Sequence, residues 1–457
     1  MGATGSPRLV LAAASSGSGK TTAAVAIAAA LRRRGLVVAP FKCGPDYLDP
    51  TWHALAAGHQ SHNLDGWMMG RDASLATFAR ASAGAGVSLV EGVMGLYDGA
   101  SPRSEEGSTA ELAKWLAAPV VAVVDASGMA RTLGAVLQGL AAFDPALRLG
   151  GVLCNRVGSR SHLDLLREAI APLPVLGGLP KVEALRFPER HLGLVTATRD
   201  LLGDGALTRW AALAEEWLDL DALLGLARSA PPLAASLPRP AVAERCRIGV
   251  AFDDAFHFYY DDNLARLEAL GATLVRFSPL RDPAPPEVDG LYLGGGYPEL
   301  HAAALAGNRA MLDGIRAFAA SGRPVYAECG GLMYLCGAIQ TLDGREHAMA
   351  GLVPGVARVR DRLQALGYAE IVTTAPTLLG PAGLRLRGHQ FRYSELDGPP
   401  PAGACAYRVT RRRGGEPFAE GYGGPSALAS WVHVHWASCP EAAEGFVRAC
   451  ERFRRAA

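Results

Sequence analysis

A short apolar run, Arg8 to Ala13, passes without a break into Ala14-Ser-Ser-Gly-Ser-Gly-Lys-Thr-Thr22 and then into an Ala-rich stretch that reads as helix to about Leu31. A Gly/Ser loop held between a buried strand and a helix start aims backbone N–H groups inward at phosphate oxygens. That arrangement commits this part of the chain to a parallel α/β sheet. The P-loop consensus asks for Gly where Ala14 stands, but the chemistry-bearing residues remain. Gly17, Ser18 and Gly19 form the cradle, Lys20 neutralises the β and γ oxygens of ATP, the Thr21 hydroxyl takes a place on magnesium, and Thr22 follows on the helix. A flexible turn of the same composition has no need of a strand before it and a helix after it. Arg32, Arg33 and Arg34 read as solvated charges favoured by the helix dipole.

Further apolar runs follow at regular intervals. Leu36 to Phe41 delivers Lys42-Cys-Gly-Pro-Asp46-Tyr47-Leu48-Asp49-Pro at a strand end, and Val87 to Val90 delivers Glu91 at another. Ligands of parallel sheets gather at carboxyl strand ends. Asp46 or Asp49 with Glu91 and Thr21 is therefore expected to complete a magnesium site, although each acid taken singly also suits a cap or turn. Pro119 to Asp125 and Leu149 to Val157 add two buried strands with a helix between them, so the expected fold is a doubly wound α/β sheet. The Asn155-Arg156 pair ending its strand resembles the adenine-reading position of dethiobiotin synthetase-like P-loop enzymes, which implies a base contact for Asn155.

Residues 231–247 are rich in proline and read as a linker between a P-loop domain, 1–230, and a second α/β domain, 248–457. The second domain centres on Tyr326-Ala-Glu-Cys-Gly-Gly-Leu-Met-Tyr334. A strand, one cysteine, two glycines and an apolar helix in that order have the form of a nucleophile elbow built on a thiol. Helix-start N–H groups pointing at Cys329 are expected to lower its pKa. Ser430-Trp-Val-His433-Val-His435-Trp436 alternates like a strand, with both histidines on one face as candidate bases. Leu291-Tyr-Leu-Gly-Gly-Gly-Tyr-Pro-Glu299 ends a strand in three glycines. Together these resemble class I glutamine amidotransferases. The resemblance implies Cys329 as nucleophile, His433 as base, and the N–H groups of Gly295 and Gly330 as oxyanion donors. Members of that class carry Glu two residues after the base; His435 stands there, so a Cys–His dyad is expected.

Basic and acidic side chains number 45 and 44, which gives no reason to expect nucleic acid or a membrane surface as partner. The eight cysteines never fall in C-x-x-C spacing, so neither a zinc ribbon nor a disulfide framework is expected, and a reducing cytoplasm fits best. No run of 18 apolar residues occurs, and the stretch from Leu9 to Ala14 reads as a strand rather than a signal peptide.

Read end to end, the P-loop, Lys42 to Pro50, Glu91 to Gly99, Gly294 to Glu299 and Ala327 to Tyr334 follow the order of the cobyrinic acid a,c-diamide synthase family, which the whole chain resembles. The resemblance implies a ligase that uses ATP, magnesium and L-glutamine to amidate a corrinoid tetrapyrrole, with Lys42, Asp46, Tyr47, Leu48 and Asp49 beside the substrate. Monomer and homodimer both stay open. Gln390 stands where the family pattern has Glu. Two alternatives remain: amidation of another tetrapyrrole such as nickel sirohydrochlorin, or a P-loop nucleotide switch with an idle amidotransferase-like domain. Segments 358–368 and 388–394 carry Arg and His that suit an acidic ligand and structural ion pairs equally.

Overall fold

The computed structural model describes residues 3–170, 172–182, 205–234, 242–398, 402–423 and 426–456. The chain divides into two compact units, Met1–Pro238 and Arg239–Ala457.

In the first unit the apolar runs become β1 (Arg8–Ala12), β2 (Val38–Cys43), β3 (His62–Leu64), β4 (Val87–Glu91), β5 (Val120–Asp125), β6 (Leu149–Val157) and β7 (Val175–Pro180). They form one sheet in the order β3-β2-β4-β1-β5-β6-β7, every pair parallel. Strands covered on both faces need continuous apolar sequence, and β1, β2 and β4 are buried along their whole length. From β1 the chain crosses to β2 and β3, returns to β4 between β2 and β1, and then runs out on the other side through β5, β6 and β7. The loop after β1 and the end of its neighbour β4 therefore share the switch point where ligands of such sheets bind. Helix α1 (Lys20–Arg33) begins at that point; its alanines are buried and pack with Trp210, Ala211 and Ala214 of helix α3 (Ala206–Trp217), while α2 (Asp49–Ala57) follows β2.

The proline-rich stretch is not all linker. Leu233–Ala234 pairs antiparallel with Ala3–Thr4, because a backbone free of helix can still complete a ladder. Residues 235–241 lie outside the described residues.

The second unit holds β8 (Cys246–Ala251), β9 (Ala272–Phe277), β10 (Gly290–Leu293), β11 (Val325–Glu328), β12 (Ala365–Thr373), β13 (Arg385–Arg392), β14 (Cys405–Arg411), β15 (Phe418–Gly423), β16 (Ala427–Ser430) and β17 (His433–His435). Their order is β9-β8-β10-β11-β16-β15-β14-β12-β13-β17. The first five in that order are parallel and the rest antiparallel. Helix α4 (Asp261–Ala269) links β8 to β9, and α6 (Pro440–Ala456) ends the chain. The apolar helix after Cys329 is short: α5 spans Gly330–Leu335, and Cys336–Gln340 is already a strand of a separate four-stranded sheet. In that sheet Arg358 pairs with Asp397 at 2.7 Å and Arg360 with Glu395 at 2.5 Å, so these arginines serve structural ion pairs.

Candidate active site

At the switch point of the first unit, Gly17 and Gly19 have φ of 77° and 93°, a region open to glycine at little cost. Gly19 is also confined, because a Cβ there would lie 1.9 Å from the Asn155 amide nitrogen. Lys20 Nζ donates to Met94 O at 2.6 Å and Ser15 O at 3.4 Å, folding the ammonium across the mouth of the loop. Burial, then the neighbouring Lys42 charge, lowers its pKa.

Beneath it lies a closed charge network. Glu91 Oε1 accepts from Thr21 Oγ1 and Lys42 Nζ, both at 2.8 Å, and Oε2 meets His53 Nε2 at 2.5 Å. Lys42 Nζ also reaches Asp49 Oδ2 at 2.5 Å. Burial alone would raise Glu91, but Lys42 and His53 outweigh it and hold the carboxylate ionised. Burial likewise opposes the Lys42 charge, and Asp49 and Glu91 overcome it, so the ammonium is held protonated. Asp46 is pushed up to about 7 by burial and by the adjacent Asp49.

In the second unit, Cys329 adopts φ 48° and ψ −100° between β11 and α5, a conformation that costs a non-glycine residue about 1–3 kcal/mol. Its N–H donates to Ser430 O at 2.7 Å, tying the elbow to β16. The glycines are needed by contact: a Cβ on Gly331 would lie 2.2 Å from Leu293 O, and one on Gly330 3.0 Å from Gly296 N. A Cβ on Gly295 would lie 2.3 Å from His433 Cε1. The Gly294–Gly296 loop is therefore held between the elbow on one side and His433 on the other. Glu328, adjoining Cys329, fixes this registry. It accepts from Val434 N–H at 3.0 Å and from the hydroxyls of Tyr326 and Tyr292 at 2.7 and 2.9 Å.

Burial pushes the Cys329 thiol up to about 12; Glu299 adds to this, while Arg392 and the Gly330 N–H oppose it. Burial thus runs against the lowering expected from the helix start, which supplies the one N–H of Gly330. Burial and His389 bring His433 down to about 3, so both partners rest neutral at pH 7. His389 is the cross-strand neighbour of His433. His435 is turned elsewhere, its ring 5.0 Å from that of Tyr260 and its Nδ1 accepting from Ala437 N–H at 3.3 Å.

Comparison with known proteins matches residues 9–195 to the CobQ/CobB/MinD/ParA nucleotide binding domain and residues 247–440 to the CobB/CobQ-like glutamine amidotransferase domain. A relative in Leptospira interrogans (serovar copenhageni) named cobyrinate a,c-diamide synthase is 49% identical over 98% of this chain and 99% of its own length. The chain belongs to the cobyrinate a,c-diamide synthase family. Relatives of the same name in Syntrophotalea carbinolica and Salmonella typhimurium are 50% and 41% identical, each over 97% of this chain and 98% of theirs. As a member of the cobyrinate a,c-diamide synthase family, the chain is an ATP-dependent ligase that takes nitrogen from glutamine.

Several of the sequence expectations need correction. Asn155 does not stand open at its strand end; its amide nitrogen donates to Ser18 O at 2.9 Å and packs on Gly19, where it braces the loop. Asp46 has no hydrogen bond to Thr21 or Glu91 among the described residues: its Oδ1 accepts from Leu48 N–H at 2.7 Å and Asp49 N–H at 3.4 Å. Lys42 is buried within the network rather than open to a substrate, whereas Asp46, Tyr47, Leu48 and Asp49 are half-buried on the loop after β2. The Gly295 N–H is occupied by Phe258 O at 3.2 Å, while the Gly296 N–H has no partner among the described residues. His53 went unread in the sequence. Its signal was the spacing Asp49-x-x-x-His53, which sets both on one helix face.

Proposed function

We propose that this member of the family amidates the a- and c-acetate carboxylates of cobyrinate or its metal-free counterpart, hydrogenobyrinate, with Met1–Pro238 activating the carboxylate and Arg239–Ala457 releasing ammonia. What carries the reading is one chain holding both a P-loop braced by Asn155 and a strained cysteine elbow beside a buried histidine, matched nearly end to end by relatives named for that reaction. At the elbow, Cys329 Sγ attacks the glutamine carboxamide as His433 takes the thiol proton and returns it to the departing ammonia; water then frees glutamate from the thioester. The N–H groups of Gly330 and Gly296 are the donors we assign to the oxyanion. At the P-loop, a carboxylate oxygen of the corrinoid takes the γ-phosphoryl of ATP, releasing ADP. Ammonia adds to that carbonyl carbon, expels phosphate and loses a proton. Lys20 stabilises the charge moving onto the bridging oxygen.

Magnesium fits this donor set. Thr21 and Glu91 offer two oxygens already in contact, and among the described residues no larger cluster of metal-binding side chains exists. This suits an ion that keeps water and phosphate oxygens in most positions. When bound, it supplies charge neutralisation to the phosphates. Asp46 to Asp49 are the residues we place beside the corrinoid. The eight free, buried cysteines go with a cytoplasmic setting. Mass spectrometry after incubation with ATP, glutamine and each of cobyrinate, hydrogenobyrinate and nickel sirohydrochlorin tests the reading. Diamides of either corrinoid are expected; amidation of nickel sirohydrochlorin alone contradicts it.

A further inference from the structure

Of the buried polar atoms in the second unit without a hydrogen-bond partner among the described residues, two belong to an acid and a base beside the elbow, Glu299 Oε2 and Arg392 Nε; burial pushes the Glu299 carboxyl up to about 7. Both residues are part-buried, and a polar atom closed off from water without a partner costs free energy, so these two atoms ask for a ligand. Both lie against the elbow. Glu299 sits in the turn Pro298–His301 directly after the glycine loop, and Pro298 Cδ is 3.0 Å from the position a Gly330 Cβ would take. Arg392 ends β13, three residues after His389, the cross-strand neighbour of His433. Its guanidinium lies 4.8 Å over the ring of Trp431, which follows the Ser430 that holds Cys329 in place. Of all side-chain charges, those of Glu299 and Arg392 weigh most on the Cys329 thiol. Arg392 Nη1 is engaged by Ser394 O, and the nearby Glu420 accepts from Ser430 Oγ and Trp431 N–H, so among the described residues no carboxylate closes the guanidinium.

We propose that Glu299 and Arg392 form the receptor for the α-ammonium and α-carboxylate of glutamine, and so select a free amino acid over other primary amides at Cys329. The inference rests on the glutaminase reading above. With the carboxamide at the sulfur, the far end of glutamine bears one positive and one negative group. The two open valences match that pair in sign and number. An amide without the zwitterion would leave a buried charge unpaired, and the site would reject it. Glu299 and Arg392 act here as specificity residues, touching the part of the substrate that does not react.

The test measures ammonia release from L-glutamine, from glutaramate, which lacks the α-ammonium, and from 4-aminobutanamide, which lacks the α-carboxylate. Glu299→Gln is expected to raise KM for glutamine and 4-aminobutanamide about tenfold to hundredfold, the range for a lost charge-assisted bond, while glutaramate stays within about twofold. Arg392→Gln should do the reverse, raising KM for glutamine and glutaramate and sparing 4-aminobutanamide. Glu299→Asp and Arg392→Lys replace any variant whose thermal midpoint shows misfolding, with the same crossed pattern expected. Equal effects of one variant on all three amides, or an unchanged KM for glutamine, overturns the proposal. Absence of glutamate release by the wild type, or its persistence in Cys329→Ala, instead overturns the glutaminase reading beneath it.

Discussion

Replacing Lys42 by methionine keeps the length of the side chain and removes its charge. In the native site the Lys42 and Glu91 side chains are 4% and 1% exposed, and Nζ stands 2.8 Å from Oε1. Without the ammonium, Glu91 keeps Thr21 and His53 but loses its nearest positive charge in a water-free position. Breaking a buried pair on one side costs about 3–5 kcal/mol. For a unit of this size each kcal/mol moves the thermal midpoint by about 2–4 °C, so the first unit should melt about 6–20 °C earlier. The pH dependence has a fixed sign. Glu91 is held below its ordinary value, so the stability it contributes is complete above the ordinary carboxylate pKa and declines as pH falls below that value. Lys42 is held above its ordinary value, so its share is complete below the ordinary lysine pKa and declines only as pH rises beyond it. Calorimetry of wild type, Lys42→Met and the double variant Lys42→Met/Glu91→Gln, from about pH 3 to about pH 11, reads both effects. The double variant should recover part of the loss, since the buried Glu91 charge is gone and only Asp49, whose side chain is 25% exposed, is left without its ammonium. A Lys42→Met midpoint within about 2 °C of wild type, the range of ordinary surface changes, refutes the reasoning.

Lys20→Ala should suppress amide formation from glutamine and from added ammonia alike, by a factor of about 10² to 10³, with glutamate release partly retained; assaying both nitrogen sources checks it, and ammonia-supported amidation at the wild-type rate contradicts the assignment. Gly331→Ala places a Cβ 2.2 Å from the Leu293 carbonyl oxygen, a backbone atom that cannot step aside, so glutamate release should fall sharply and the midpoint drop; a variant that melts and hydrolyses glutamine normally means the elbow relaxes freely. With its thiol pushed up to about 12 and His433 brought down to about 3, Cys329 of the free protein should alkylate at a rate that climbs with pH from 7 to 9.5 without a plateau, as read by mass spectrometry of its peptide after brief iodoacetamide treatment. A plateau below pH 8 would reveal a resting thiolate–imidazolium pair.

Much of this architecture was legible because its signals are local. The strand, glycine loop and helix around Lys20, and the strand and paired glycines around Cys329, each encode their geometry within about ten residues. What escaped depends on desolvation and on contacts between distant segments. A helix start beside Cys329 reads as acidifying in sequence, yet the density of apolar neighbours outweighs it in space. Asn155 and Asp46 lie at strand ends as the sequence suggests, but sequence could not say that one would brace Ser18 and the other would accept from the N–H groups of Leu48 and Asp49. The tripled glycine of residues 294–296 left open which N–H is free; the bridge between Phe258 and Gly295 decides that, across 37 positions of chain. Arg392 appeared only within the segment 388–394 and Glu299 only as the end of the glycine-loop stretch, because an open valence has no sequence signature.

The central claim is that two chemistries share one chain, the thiol of Cys329 serving only to release ammonia. Amide formation by Cys329→Ala should be compared with glutamine and with ammonium as nitrogen source, at saturating ATP and corrinoid. The account predicts loss of glutamine-supported amidation with ammonium-supported amidation near the wild-type rate. Equal loss with both sources contradicts it, as does unimpaired use of glutamine.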